Sequence, residues 1–345
     1  MDISDCKASI MDRFSATVGI SENVPAKKVT TFGLGAPIPL LLEPSSISAL
    51  QELVHFMKEQ GVPWYMLGAG SNTVFPDAAL RKVVVRLGQA FDKVHFYGAA
   101  PKLSSQELAQ PADTGMREGD FCNLPNGESI FALAFAGTSL INLSAKTCRD
   151  GLSGLEFGGG IPASIGGAVL INAGAHGWAI GDVVEEVWVL DGNGQLLRIG
   201  KEELEFSYRR SNLPQDCVVL AALLKLTKRD IEEVQAKRRQ GLDYRKKHQP
   251  VSMPSAGSIF RNPSGTTNAD EQTALPSAGK LIDDAGLKGF RVGSCEVSSV
   301  NANWIVRVSD DGKQEDLLKI MQIVRDRVKE VTGVELHSEI KIVEA

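Results

Sequence analysis

The chain has 345 residues, a formal net charge of -5, and 43% hydrophobic against 23% charged residues. These values are typical of a globular protein with two or three domains, and the negative charge argues against a general attraction to nucleic acid. No signal peptide and no apolar run of about 18 residues is evident, so we expect no membrane partner. The five cysteines are scattered without a C-x-x-C pair, which fits a reducing cytoplasm and argues against a zinc site.

Turn residues and apolar runs predict a β-α-β unit near the start of the chain. A short strand within 29–44 precedes a helix that Ser45 or Ser46 could cap. The strand PWYML at 63–67 then runs directly into GAGSN at 68–72. Such a small-residue loop commonly holds phosphates through its peptide N–H groups, although a plain tight turn is an equal alternative.

The middle of the chain combines β-structure with one irregular segment. After a predicted strand at 80–87, residues 97–130 are polar and show no sustained period, which indicates a surface insertion. A strand and a helix are predicted over 131–149. The clearest hairpin turns at 191–194, and a long strand follows at 217–227.

The last third of the chain begins with a charged helix over 229–247. The run of basic residues in this helix has two equally favoured interpretations, a solvated helix face and a patch that faces a phosphate. Three prolines around Gly257 then predict an irregular loop that projects Ser258. An apolar-striped helix, ended by Gly333, leads into a final strand, ELHSEIKIV.

Residues 151–177, here called the cradle, interleave glycines with apolar side chains. Glycine has no Cβ and tolerates positive φ, so several peptide N–H groups can converge on an anion or a planar ring. A linker would be polar, so we interpret the cradle as a ligand site. Gly158-x-Gly160-x-x-Ala163 matches a Rossmann fingerprint, but no continuous apolar strand precedes it and SIGGAV at 164–169 is a poor helix former, so we reject that interpretation.

The sequence lacks several common catalytic motifs. It contains no Walker A sequence, no H-E-x-x-H metal motif and no G-x-S-x-G nucleophile elbow, and its histidines are isolated. We therefore predict neither a metal site nor serine hydrolase chemistry.

Seven motifs occur along the chain in the order TTFGLGAP, LGAGSN, GLSGLEFGGGIPASIGGAVLINAGA, FSYRRS, PSAGSIFRNP, AGKLIDDAGLKG and LHSEIKI. In this order they resemble the UDP-N-acetylenolpyruvoylglucosamine reductase family, from about residue 29 to residue 343. The resemblance implies a flavoenzyme of peptidoglycan precursor synthesis. Such an enzyme holds FAD non-covalently, takes reducing equivalents from NADPH and converts UDP-N-acetylglucosamine enolpyruvate into UDP-N-acetylmuramate.

The resemblance also implies an α+β fold with FAD bound as in proteins of the vanillyl-alcohol oxidase and para-cresol methylhydroxylase (PCMH) type. We expect two FAD-binding subdomains, at 1–90 and 91–230, with the insertion inside the second. A C-terminal substrate domain would cover 231–345. We expect a cytoplasmic monomer whose partners are its small-molecule substrates, with neither nucleic acid nor membrane among them.

By this resemblance GAGSN meets the FAD pyrophosphate, and two parts of the cradle line the flavin and its ribityl chain. The implied cofactor contacts are Gly68, Ala69, Gly70, Ser71, Asn72, Ile161, Pro162, Ala163, Ser164, Gly166, Gly167, Asn172, Ala173, Gly174 and Ala175.

Three catalytic positions follow from the same resemblance: Arg209 in the YR-x-S motif, Ser258 in AGS and Glu339 in L-x-x-E. Arg209 would hold the substrate carboxylate, since it is permanently cationic. Glu339 would stabilise the enol-like intermediate, and Ser258 would protonate the carbanion. Asn262 would lie near the substrate diphosphate. Without the resemblance, Arg209 would be interpreted as part of a surface ion pair, Ser258 as a turn cap and Glu339 as an ordinary strand residue.

The chain departs from the family pattern at Ala36, Ala163, Asn301 and Arg307, where the family usually shows Gly, Gly, His and Asn. Two alternatives therefore stay open. One is an FAD-dependent oxidase or dehydrogenase of the same superfamily with another substrate, and the other is a non-catalytic flavin or nucleotide-sugar binding protein. Retention of the three catalytic positions favours an active reductase.

Overall fold

The computed structural model describes residues 3–104, 106–111, 116–117, 119–214, 216–263 and 275–345. The chain forms two compact units. Unit 1 comprises Met1–Ser21, Leu40–Ala69 and Lys82–Tyr244, and unit 2 comprises Glu22–Pro39, Gly70–Arg81 and Arg245–Ala345. Both predicted FAD-binding subdomains fall largely in unit 1, and the domain boundaries at 90 and 230 stay predictions.

The described residues combine helices with strands, which confirms the α+β class. The helices are α1 Ile3–Phe14, α2 Ile47–Glu59, α3 Leu140–Arg149, α4 Ile165–Leu170, α5 Ile231–His248, α6 Ala278–Asp284 and α7 Gln314–Thr332. The strands are β1 Val18–Val24, β2 Ile38–Pro44, β3 Trp64–Leu67, β4 Thr73–Val74, β5 Val83–Arg86, β6 Val94–Tyr97, β7 Ser129–Phe135, β8 Leu152–Ser153, β9 Gly174–Ala175, β10 Trp178–Ala179, β11 Val184–Leu190, β12 Leu196–Gly200, β13 Phe206–Ser207, β14 Arg210–Ser211, β15 Val218–Lys228, β16 Ser255–Ser258, β17 Arg291–Val292, β18 Cys295–Val297, β19 Trp304–Arg307 and β20 Lys341–Ile342.

The predicted β-α-β unit is formed by β2, α2 and β3. The Ser46 hydroxyl caps α2 by accepting a hydrogen bond from the Ala49 N–H at 3.1 Å. Strand β5 lies between β2 and β3 and runs parallel to both. Helix α1 and strand β1 have no counterpart in the sequence prediction.

A largely antiparallel sheet forms the rest of unit 1, with the strand order β12-β11-β15-β7-β6 and β8 beside β15. The predicted hairpin is β11 and β12, in which Leu190 lies opposite Leu196. Both faces of this sheet are buried: Trp188 and Leu220 belong to one hydrophobic core, and Val187 belongs to the other. The buried sheet therefore supports the cradle, whose α4 contacts β15.

The insertion between β6 and β7 has no strand or α-helix in its described part, as predicted. Its assignment to the surface is wrong for some apolar residues. Phe121 is fully buried and packs against Phe96 with ring centroids 5.0 Å apart. Leu108 is buried as well, and the Asp150 carboxylate accepts a hydrogen bond from the Gly119 N–H at 2.9 Å. These contacts are irregularly spaced, so no periodicity could reveal them.

Unit 2 is built on the sheet β16-β19-β18-β17 with α6 and α7. Helix α7 ends at Gly333, which adopts a φ of 74° as the predicted left-handed C-cap. At its other end, the Asp77 carboxylate accepts hydrogen bonds from the N–H groups of Gln314 and Glu315, at 2.9 and 3.0 Å. Strand β20 runs parallel to β4. No helix among the described residues has the length and apolar character that crossing a bilayer requires.

Two local predictions are wrong. SIGGAV forms the short helix α4, because Ser164 caps it and the burial of Ile165 and Val169 outweighs a weak helix propensity. The Rossmann interpretation still fails, since the preceding strand β8 has two residues and is antiparallel to β15. The segment expected to be an irregular loop around Gly257 contains strand β16, which pairs with β19 immediately after Pro254.

Candidate active site

In unit 1, the loop after β3 and the cradle form one surface of small residues. The Ser164 hydroxyl accepts a hydrogen bond from the Gly167 N–H at 3.4 Å. A Cβ added at Gly68 would lie 3.2 Å from the Ser164 Oγ, and one added at Gly167 would lie 3.4 Å from it. Three of the predicted cofactor contacts therefore lie close together: Gly68, Ser164 and Gly167. They are here called the small-residue surface. Any larger side chain would reduce the space available to a ligand.

In unit 2, the remainder of GAGSN is fixed by its backbone. Gly70 adopts a φ of 68°, and a Cβ there would lie 1.9 Å from the Val29 carbonyl oxygen. Only glycine fits this position. The Asn72 side chain donates a hydrogen bond to the Glu339 main-chain carbonyl at 3.1 Å, and the Asn72 main-chain carbonyl accepts one from the Lys341 N–H at 2.9 Å. The predicted pyrophosphate loop is thus joined to the segment that contains Glu339.

Asn172 connects the cradle with the hairpin of Arg209. The amide of Asn172 donates to the Ser207 carbonyl at 2.9 Å and accepts from the Gly181 N–H at 3.0 Å. The residue is buried. Its side chain therefore organises the site from within, and direct contact with a cofactor stays a prediction.

Arg209 lies in the two-residue turn between β13 and β14, with a φ of 57°. Its guanidinium donates to the Gly174 carbonyl at 3.2 Å and lies 5.2 Å from the centroid of the Tyr208 ring. Gly174 belongs to the predicted flavin contacts. Unit 1 therefore brings the predicted catalytic cation against the predicted cofactor loop, half-buried and held at two sides.

Ser258 owes its position to a bulge in β16. The register shifts by one residue between Ser255, opposite Val306, and Ser258, opposite Trp304. Gly257 has a φ of 78° at this shift, and no atom lies within 4 Å of an added Cβ. Glycine is therefore favoured here by the backbone conformation and not by a lack of space. Bulges commonly re-aim a side chain in this way. Ser258 is half-buried at the end of the strand.

Glu339 lies on a segment that pairs with the residues directly after Ser258. The Glu339 N–H donates to the Ile259 carbonyl at 2.8 Å, and Phe260 forms an antiparallel bridge with Ser338. The two predicted catalytic residues of unit 2 are thus on neighbouring paired segments. Glu339 is half-buried.

Asn262 has an internal hydrogen bond. Its side-chain oxygen accepts from the Ala278 N–H at 3.0 Å, at the start of α6, where Ser277 is the N-cap. This contact holds the end of the FRNP segment against α6. A substrate contact by Asn262 stays a prediction.

Two departures from the family pattern are accommodated inside unit 2. Asn301 accepts a hydrogen bond from the Asn303 N–H at 3.0 Å and donates to the His248 carbonyl at 3.3 Å. The side chain of Arg307 is 12% exposed and donates to the Ser309 carbonyl at 3.2 Å. Both substituted side chains are therefore engaged with the protein.

Sequence reasoning missed the aromatic side chains of Trp178, Tyr208 and Tyr244 in unit 1. His176, in the turn between β9 and β10, contacts Tyr244 edge to face with ring centroids 5.3 Å apart. Trp178 and Tyr208 are 62% and 57% exposed. For Trp178, an aromatic residue directly after the glycine-rich cradle was an available signal. The exposed Tyr208 ring provides a flat surface beside the Arg209 guanidinium.

The predicted cofactor contacts suit FAD. None carries an acidic or basic side chain, and the small-residue surface leaves the backbone open to a flat, anionic molecule. Within the described residues, no group of three or more His, Cys, Asp or Glu side chains is arranged to hold a metal ion. The predicted catalytic side chains offer one cation, one hydroxyl and one carboxyl, on Arg209, Ser258 and Glu339 respectively.

Comparison with known proteins identifies relatives along almost the whole chain. A profile of the UDP-N-acetylenolpyruvoylglucosamine reductase C-terminal domain matches residues 249–343, and an FAD binding domain profile matches residues 126–200. The UDP-N-acetylenolpyruvoylglucosamine reductase of Bacillus licheniformis is 34% identical over 327 residues, 94% of each chain. The same-named protein of Anoxybacillus flavithermus is 34% identical over 332 residues, 95% of this chain and 96% of its own.

A solved structure supports the same relationship. The crystal structure of UDP-N-acetylenolpyruvylglucosamine reductase from Thermus caldophilus matches with a TM-score of 0.70 at 30% identity, covering 95% of this chain and 99% of that one. The FAD-binding fold expected from the sequence is confirmed by the domain match. The chain belongs to the UDP-N-acetylenolpyruvoylglucosamine reductase family.

Proposed function

We propose that the protein reduces UDP-N-acetylglucosamine enolpyruvate to UDP-N-acetylmuramate with NADPH and bound FAD, in peptidoglycan precursor synthesis. The observation that carries this proposal is 34% identity to reductases of that name over 94% of the chain. Retention of Arg209, Ser258 and Glu339 in their motifs supports it. FAD, when bound, supplies the transfer of two electrons from NADPH to the enolpyruvyl double bond.

Arg209 would bind the carboxylate of the enolpyruvyl group. A guanidinium stays cationic at any working pH and presents donors in a fork that matches a carboxylate. The bond to the Gly174 carbonyl holds its orientation before substrate arrives, so little reorganisation is needed. Negative charge that develops next to the carboxylate is then stabilised by the same cation.

Ser258 and Glu339 would complete the addition across the double bond. Addition of a hydride at the methylene carbon would move the electron pair of the double bond onto the neighbouring carbon, which becomes a carbanion and must take up a proton. The Ser258 hydroxyl would donate this proton and recover one from solvent. A protonated Glu339 would donate a hydrogen bond to the enol-like form of the substrate carboxylate. The pairing of Ile259 with Glu339 supports their joint action.

The first test is an anaerobic absorption spectrum of the purified protein. We expect a flavin spectrum that NADPH bleaches and UDP-N-acetylglucosamine enolpyruvate restores. If only oxygen or another acceptor restores the colour, the protein is an oxidoreductase of the same superfamily with a different substrate. Purification of a folded protein that binds no FAD would overturn the assignment of the cradle.

The role of Ser258 is tested by separating the two half-reactions. Ser258→Ala should leave bleaching by NADPH nearly intact and slow the return of colour by roughly 100-fold or more, because only the second step needs the proton. Ser252→Ala, at an exposed serine of the same unit, is the matched control. Equal slowing of both steps by Ser258→Ala would contradict a proton-donor role.

We further propose that the protein works as a cytoplasmic monomer, with FAD-binding subdomains at 1–90 and 91–230 and a substrate domain at 231–345. Five free cysteines, four of them buried, support a reducing compartment. Light scattering during size-exclusion chromatography would test the monomer: a mass near 37.1 kDa is expected, and twice that value would contradict it.

A further inference from the structure

The side chain of Asn303 forms an unusual pair of hydrogen bonds next to Ser258. Asn303 is buried, at 8% exposure, immediately before β19. Its amide nitrogen donates to the Phe260 carbonyl at 2.8 Å, while its amide oxygen accepts from the Phe260 N–H at 3.0 Å. The Asn303 carbonyl also accepts from the Ile259 N–H at 2.8 Å. One residue therefore holds both positions that follow Ser258.

The opposite edge of residues 259–261 is held by the segment that contains Glu339. The Ile259 carbonyl accepts from the Glu339 N–H at 2.8 Å, and the Arg261 N–H donates to the His337 carbonyl at 2.9 Å. Residues 259–261 thus behave as a central strand with a backbone neighbour on one edge. On the other edge, the Asn303 main-chain carbonyl binds the Ile259 N–H, and the Asn303 side-chain amide takes the place of a neighbouring peptide group at Phe260.

A side chain is needed there because β19 begins at Trp304, opposite Ser258, so no residue of that strand lies opposite Phe260. The chain turns just before it: the Trp304 N–H donates to the Asn301 carbonyl at 3.0 Å, and the Asn303 N–H donates to the Asn301 side chain at 3.0 Å. Without the Asn303 amide, both polar groups of the buried Phe260 backbone would lose their partner. A buried polar group that loses its only partner destabilises the fold, because it cannot form the hydrogen bond that it would make with water.

The hydrogen bonds of Asn303 with Ile259 and Phe260 are here called the Asn303 clamp. The bulge makes this clamp important for the position of Ser258. The register already shifts at Gly257, so the backbone after it is not fixed by a regular ladder. A slip of one residue would turn each side chain of the segment to the other face. The hydrogen bonds of Asn303 fix the register immediately beyond Ser258.

We propose that Asn303 is a positioning residue for the reduction step: its amide holds the Ser258 hydroxyl in register with the Glu339 segment. This inference rests on the proposed function and adds to it a residue that touches neither substrate nor cofactor. It acts through the backbone of Ile259 and Phe260.

The test compares Asn303→Ala and Asn303→Asp with the wild-type protein in the two anaerobic half-reactions. The aspartate keeps an acceptor for the Phe260 N–H but loses the donor to the Phe260 carbonyl. Because aspartate has nearly the volume of asparagine, this variant serves as the test if the alanine variant fails to fold. Bleaching by NADPH should stay within about 2-fold, while the return of colour with substrate slows by roughly 10- to 100-fold. The solvent deuterium isotope effect on that second step should rise, because proton delivery becomes more limiting. Asn193→Ala, in the exposed β11–β12 turn, is the control.

Hydrogen exchange gives a readout that does not depend on activity. The amides of residues 259 and 260 should exchange faster in both variants, whereas those of α5 remain as in the wild type. If exchange rises at these amides while the two half-reactions slow equally, or neither slows, Asn303 is merely structural and the inference is overturned. A wild-type protein that substrate cannot reoxidise would instead overturn the proposed function, an outcome that the wild-type trace alone reveals.

Discussion

Non-glycine residues with positive φ concentrate around Arg209. Among the described residues these are Asn23, Asn172, His176 and Arg209, and the last three lie on the two joined loops of the candidate site. Such a conformation costs about 1–3 kcal/mol for a residue with a side chain, so surrounding contacts must stabilise it. The hydrogen bonds of Asn172 and Arg209 do so. The guanidinium is therefore held in place before any ligand binds.

A single methyl group tests the bulge that positions Ser258. Gly257→Ala should lower the free energy of unfolding by about 1–2 kcal/mol, because alanine adopts positive φ unfavourably. Gly286→Ala is a matched control, since Gly286 has a φ of 74° and nothing within 4 Å of an added Cβ. Chemical denaturation should give similar losses for the two variants.

The rates of the two half-reactions then distinguish the effect of Gly257→Ala from that of Gly286→Ala. We expect only Gly257→Ala to slow reoxidation by substrate, since only it disturbs the strand that carries Ser258. Equal rates of reoxidation in both variants would show that the bulge does not set the position of the hydroxyl.

At the scale of secondary structure, local signals predicted several elements that bury one face and have local caps or turns, although α1, which also buries one face, was missed. Helix α2 begins after Ser46 as expected, and the β11–β12 hairpin turns at the predicted glycines. Helix α4 and strand β16 were missed because partners distant in sequence form them. Motifs indicated Arg209, Ser258 and Glu339, but no local pattern could reveal the Asn303 clamp, which joins residues 43 positions apart.

The start of α7 contains a carboxylate whose ionisation stabilises unit 2. Asp316 accepts hydrogen bonds from the Ser294 N–H at 2.9 Å and from its hydroxyl at 2.7 Å. These bonds hold the pKa of Asp316 below its usual value. A lowered pKa in the folded state gives stability that is present above the unfolded pKa of about 3.9 and is lost as pH falls through the folded pKa.

Asp316→Asn should therefore be less stable than the wild type at pH 7, and the difference should shrink as pH falls below about 4. Urea unfolding at pH 7, 5, 4 and 3 measures this difference. Glu315→Gln, at the exposed neighbouring position, controls for the loss of one charge at the same helix end. A difference that stays constant over this pH range would show that ionisation of Asp316 does not contribute.

At the scale of the whole molecule, one of the five cysteines is exposed and the other four are buried. Burial raises the pKa of the Cys148 thiol to about 12, and those of Cys217 and Cys295 to about 11, while Cys6 is 1% exposed. Cys122 is exposed in the insertion. A thiol reagent at pH 8 should label one site rapidly, because the thiolate is the reactive form. Cys122→Ser should abolish that phase, and a second rapid phase in the wild type would contradict the buried positions.

Binding of FAD should stabilise the folded chain, because the cradle exists only in the folded state. The free energy gained is about 2.7 kcal/mol when free FAD is 100 times its Kd. Removal of FAD should therefore lower the Tm, and its return should restore it. Riboflavin should raise the Tm less, since it lacks the pyrophosphate that we predict GAGSN to bind.

Gly68→Val connects this stabilisation to the small-residue surface. An added Cβ lies 3.2 Å from the rotatable Ser164 hydroxyl and 4.0 Å from the Gly167 Cα, and Gly68 does not require positive φ, so the Tm without FAD should change little. The rise in Tm on adding FAD should be much smaller than in the wild type, because the branched side chain fills the space open to the cofactor. Gly200→Val, where an added Cβ meets nothing within 4 Å, is the control. A full FAD-induced rise in Gly68→Val would place the cofactor elsewhere.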